Sequence, residues 1–210
     1  ARGAIAADPN FTRQAFRAYV ASRDLPTEFP DIRGFGFVQR VQRSELARFV
    51  AAERADGAPG FSVHSSGTAA DLYLVRYLEP LASNSAVLGF DLGQEPTRRA
   101  AVEYAVDTGE PTLLSGVTLL QDASHSPGLL YLLPVYRRGS HPQTVQERRR
   151  DLLGLLFAPS VASELLGSVT AVADKLVDFE LFEGTQVDPG KLIFDADDSL
   201  AVDKPDRIMT

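Results

Sequence analysis

Asp91 has the placement that most invites a chemical role. It stands in the run Leu88, Gly89, Phe90, Asp91, Leu92, between two apolar residues and at the join of a predicted strand and a predicted helix. A carboxylate in apolar surroundings is costly to bury unless it finds a partner. Two roles would supply one. In the first, Asp91 is structural, paired with an arginine such as Arg99 or capping backbone N–H groups where the helix starts. In the second, its carboxylate projects into a cavity and accepts hydrogen bonds from a ligand. The residues alone leave both open.

Other chemistry-bearing residues form no comparable constellation. His64, His125 and His141 are far apart in loop-like surroundings, and without cysteine they complete no zinc set. Asp195, Asp197 and Asp198 begin like a calcium loop, but Leu200 stands where the sharp turn needs glycine. There is no nucleophile elbow, phosphate-cradling glycine loop or dinucleotide fingerprint. Asp91 and Glu95 could act as paired carboxylates, but nothing joins them to a nucleophile or metal set. The expectation is a non-enzymatic domain with no cofactor and no metal. Arg148, Arg149 and Arg150 could touch a phosphate or a membrane surface, although exposed arginines in a linker are usually solvated.

The elements that must position Asp91 follow from composition and periodicity. The 210 residues carry 44% hydrophobic and 23% charged content and a net charge of −7, the profile of a globular protein. That acidity argues against nucleic acid as a partner. No apolar run approaches the ~20 residues of a spanning helix, and the opening at Ala1 reads as a piece of a longer protein.

Apolar spacing predicts a helix from residue 11 that fails at Leu25 and Pro26, and a loop to Pro30. Strands are predicted over 34–41, 61–64, 72–78 and 85–92, with a helix begun by Ser44 and ended at Gly57. A helix over 95–107 turns Ala100, Ala101, Tyr104 and Ala105 inward and is capped by Gly109. Strands over 111–120 and 129–137 follow. The polar stretch 138–150 is the best internal boundary. Beyond it come a strand over 152–157, a helix over 159–167, and strands over 177–182 and 191–195. The order describes an α+β fold rather than a βαβ alternation.

With these residues in place, the pattern resembles a CHASE domain, the extracytoplasmic sensor of receptor histidine kinases and cyclases. The resemblance rests on Phe35, Gly36, Phe37, Val38, Gln39, Arg40 and Val41, then Arg43 and Phe49. Glu79, Pro80, Asn84, the run 88–92, Arg98, Arg99, Ala100, Ala105, Gly109, Pro134, Val135 and Tyr136 continue it. Gly154, Phe157, Leu165 and Leu166 close it. It implies an N-terminal stalk helix followed by two PAS-like subdomains with antiparallel sheets. Residues 1–30 would be a stalk remnant and linker, 31–138 the membrane-distal ligand-binding subdomain and 139–210 the membrane-proximal one.

The resemblance further implies a periplasmic domain of an inner-membrane receptor with a kinase or a diguanylate cyclase/phosphodiesterase output, dimerising through the stalk. Its ligand would be a small molecule, of adenine type or another planar compound. Asp91 matches the position of a ligand-bonding aspartate, and Leu113 and Ser115 fall near the strand that covers the ligand. Tyr73, Tyr77, Phe90, Tyr131 and Leu133 are the candidate walls. The alternative is a periplasmic protein-interaction or dimerisation module without a small ligand.

Overall fold

The computed structural model describes residues 2–8, 11–120, 126–172, 179–184, 186–197 and 199. Two short helices open the chain, α1 (Arg2–Ala7) and α2 (Arg13–Ala21). The Thr12 hydroxyl caps α2 by accepting from the Ala15 N–H at 3.2 Å. A further turn, α3 (Leu25–Glu28), leads to β1 (Phe35–Gln42) and, through a 3₁₀ turn, to α4 (Leu46–Ala55). Then come β2 (Asp71–Glu79), the turn α5 (Leu81–Asn84), α6 (Pro96–Thr108), β3 (Thr112–Thr118) and β4 (Pro127–Tyr136). Next, α7 (Val145–Asp151) runs straight into β5 (Leu152–Val161), and β5 straight into α8 (Ala162–Val172). The short strands β6 (Glu180–Phe182) and β7 (Leu192–Asp195) pair with each other.

The fold is α+β. Five strands form an antiparallel sheet in the order β2-β1-β5-β4-β3. One face carries α6 over a core that includes Val38, Val75, Val102, Val106, Leu132 and Leu155. The other carries the N-terminal helices, whose Ile5, Phe16 and Val20 pack on Phe37, Tyr77, Val135 and Leu156. α4 covers the β2 end of this second side against Val41, Leu72 and Leu74.

β2 departs from strict alternation. Phe37 pairs with Tyr77 but Val38 pairs with Val75, so Arg76 is an extra residue. A one-residue bulge reverses which face later side chains meet. Tyr73 therefore faces α6 while Tyr77, four residues on, faces α2.

Several expectations need correcting. Residues 61–64 form no strand; His64 makes an isolated bridge to Phe90. Residues 85–92 are not extended throughout, because a 3₁₀ turn (Ser85–Val87) occupies their start. α2 ends before Pro26, which serves as a first-turn proline of α3, a position where its missing N–H costs nothing. On α6, Ala100 and Tyr104 point outward, and Arg98, Val102, Ala105 and Val106 are the buried residues.

Pro159 lies inside β5, not at a helix start. Its carbonyl accepts from the Arg33 N–H, just before the start of β1, so its missing donor removes no bond to β4. The polar stretch 138–150 does not part β5 from the first sheet: β5 lies between β1 and β4.

Candidate functional site

Asp91 is buried, with 1% of its surface exposed, and all three of its nearest segments converge on its carboxylate. Oδ1 accepts from the backbone N–H of Tyr73 at 2.9 Å and of Gly93 at 2.8 Å. Oδ2 accepts from the Ser65 hydroxyl at 2.7 Å. Backbone bonds close the same knot: Asp91 N–H to the His64 carbonyl at 3.0 Å and Val75 N–H to the Phe90 carbonyl at 2.9 Å.

Gly89 makes this crossing possible. Its φ is +78°, and a Cβ there would lie 1.9 Å from the Ser62 carbonyl oxygen. Arg99 is not the partner of Asp91. It donates to the carbonyls of Gly93 and Asp71 at 2.7 and 3.0 Å, pairs with Glu103, and lies over the Tyr73 ring at 5.5 Å. Burial pushes the Tyr73 phenol up to about 12. Phe90 sits beside it under the Arg98 guanidinium, whose own pKa burial lowers.

Tyr77 lies elsewhere, between two guanidiniums, Arg13 at 5.2 Å and Arg76 at 4.7 Å from its ring. Its hydroxyl donates to the Phe11 carbonyl at 2.8 Å, and burial holds its pKa above the usual phenol value. Both arginines reach Glu53, Arg13 at 2.9 Å and Arg76 at 2.7 Å. Glu53 is fully buried, and desolvation raises its pKa against the pull of the two cations. This ion triad ties α2, α4 and β2 together.

Tyr131 and Leu133 occupy a third place. With Tyr19, Phe29 and Phe35 they line a cleft of about 360 Å³ on the face of the N-terminal helices, where Arg2 and Arg23 also contribute. Leu113 pairs with Tyr131 across β3 and β4, and both are well exposed, at 60% and 41%. Ser115 is half-buried at the β3 bulge between Leu114 and Val117.

The eight sequence-picked residues thus fall into separate groups. Asp91, Phe90 and Tyr73 meet on the α6 side; Tyr131, Leu133 and Leu113 belong to the opposite side; Tyr77 is enclosed in the ion triad, and Ser115 stands apart at the β3 bulge. The sequence reading gives no site role to Tyr19, Phe29, Phe35 or Glu53. Glu53 had a signal: it lies seven residues after Leu46, on the stripe with Phe49 and Val50, where a carboxylate must find a buried partner. Among the described residues, no group of three or more His, Cys, Asp or Glu side chains could hold a metal ion. No helix among them is long and apolar enough to cross a membrane.

Comparison with known proteins accounts for nearly the whole of this architecture. The chain is 27% identical over 139 residues to hybrid signal transduction histidine kinase A of Dictyostelium discoideum, an alignment covering 61% of the chain. It spans only 6% of the length of that relative. The family model of the CHASE domain, a sensor domain of signalling receptors such as histidine kinases, matches residues 9–194. The five-stranded sheet and the Asp91 knot lie within that match, and the chain belongs to the CHASE domain family.

Proposed function

We propose that this chain is the extracytoplasmic, non-enzymatic sensor unit of a membrane-anchored signalling receptor, and that a small planar molecule is its ligand. Family membership supports the sensor role. The observation that carries the ligand reading is the aromatic cleft, in which Tyr19, Phe29, Phe35 and Tyr131 surround about 360 Å³ with Arg2 and Arg23 as polar anchors. Apolar walls with few polar groups, in this size range, suit small-molecule sites. The cleft lies between the N-terminal helices and the sheet. A ligand that favours one packing of those helices would bias the dimer and, through flanking membrane helices, the output domain. That requires unequal affinity for two states.

Thermal unfolding against adenine derivatives and aromatic carboxylates tests the reading. At least one compound class should raise the melting temperature of the chain and fail to do so for Tyr131→Ala. If no compound acts at millimolar concentration, the ligand reading falls. The exposed Phe29, Leu113 and Tyr131 favour a second reading, a dimerisation or protein-interaction face. Sedimentation of the same Tyr131→Ala variant separates the two: loss of a dimer, with no ligand response in either protein, would establish the second.

A further inference from the structure

At the end of the sheet where β4 leads into α7, a second cleft of about 510 Å³ has a different chemistry. Arg2 from α1, Arg137 and Arg138 after β4, and Arg148 from α7 line it, together with His141 and Tyr136, and no Asp or Glu does. In a chain of net charge −7 this is a local reversal of sign.

The run Arg148, Arg149, Arg150 shows how the reversal is kept. Arg149 grips both Asp107 oxygens, at 2.7 and 2.6 Å, and Arg150 grips both Asp151 oxygens at 2.9 Å. These two-bond pairs occupy the neighbouring carboxylates. Arg148 instead donates to the backbone carbonyl of Asp107 at 2.8 Å, which keeps its charge unneutralised beside Gly109. Among the described residues, none of the four cleft arginines forms an ion pair with a carboxylate; Arg43 and Arg54, which bond the Ala69 and Phe61 carbonyls, share that condition singly, whereas Arg13, Arg17, Arg40, Arg48, Arg76 and Arg99 are paired.

From this arrangement we infer that the cleft binds a multiply charged phosphate group carried by a soluble small molecule. Planar guanidinium forks match phosphate oxygens in pairs. Four of them around one space suit a dianion or higher charge better than a single carboxylate. The bound group would bridge Arg2 on α1 to Arg148 on α7, fastening the first helix to the far end of the sheet. The site is separate from the aromatic cleft; Arg2 alone lines both.

Isothermal titration with inorganic pyrophosphate, at ionic strength held constant with sodium chloride, tests this. The chain should show saturable one-to-one binding, and acetate should give none. Arg138→Ala, at an exposed position of this cleft only, should weaken binding at least tenfold. Arg48→Ala, at an exposed and paired arginine far from the cleft, and Tyr131→Ala should leave it unchanged. Absence of saturable binding, an unaffected Arg138→Ala, or an equal loss in Arg48→Ala would overturn the inference.

Discussion

Asp91 shows what one carboxylate can do when every lone pair it needs is already engaged. Its oxygens serve two backbone N–H groups and one hydroxyl from three separate segments. Removing them would leave buried donors unpaired, at about 1–3 kcal/mol each. We therefore expect Asp91→Ala to lower stability by roughly 3–5 kcal/mol. Asp91→Asn should cost only about 1 kcal/mol, since an amide oxygen can still accept from Tyr73 and Gly93 while the amide nitrogen donates to Ser65. Urea denaturation of both variants measures the order; equal, small losses would contradict the structural role. The sequence marked Asp91 as needing a partner, and it does. It could not name Ser65 or the Tyr73 N–H, because those contacts depend on a chain crossing that only Gly89 permits.

At the scale of elements, strands and helices with strong local signals were legible. β1, β2, β4 and α6 lie close to where alternation, apolar spacing and Gly109 place them. The bulge in β2 was not legible, since no residue in the run from Leu72 to Leu78 distinguishes a regular strand from one with an extra member. That single insertion is why Tyr73 and Tyr77, both expected to line one pocket, are divided between two faces.

α7 is the clearest case of local chemistry defining an end. Thr144 and Glu147 form a reciprocal capping box, the Thr144 hydroxyl accepting from the Glu147 N–H at 3.2 Å and Glu147 accepting from the Thr144 N–H at 3.0 Å. Thr144→Ala should destabilise by about 1 kcal/mol. Because α7 presents the arginine run, it should also weaken pyrophosphate binding without altering any charge. Denaturation and titration of the one variant check both effects.

For the whole molecule, two neutral phenols report on the two sides of the sheet. Tyr73 under α6 is pushed up to about 12, and Tyr77 under α2 is raised as well, both by burial. An unfolded tyrosine loses its proton near pH 10, so between about pH 10 and 12 the unfolded chain releases protons that the folded chain retains. The stabilisation is complete below pH 10 and lost as the pH climbs through the raised values. It should fall by about 1.4 kcal/mol per pH unit for each phenol. Urea midpoints from pH 8 to 12 should show the decline, and Tyr73→Phe should make it shallower.

The polar stretch 138–150 includes most of α7, and it connects two strands of one sheet. Composition reports exposure, and α7 is an exposed helix. Strand partnership across more than a hundred residues leaves no mark in local composition.

β5 is the last strand of the sheet to be synthesised and the one at its centre. β1 with β2, and β3 with β4, can each pair early as separate ribbons, and neither becomes part of a common sheet until residues 152–161 arrive between them. Closure of the fold is therefore a late, long-range event. The same strand passes into α8 between Val161 and Ala162 with no intervening loop. A central beam that touches both packed sides and leaves the sheet without slack acts as a lever. Any repacking on either side that shifted β5 would shift the start of α8 with it.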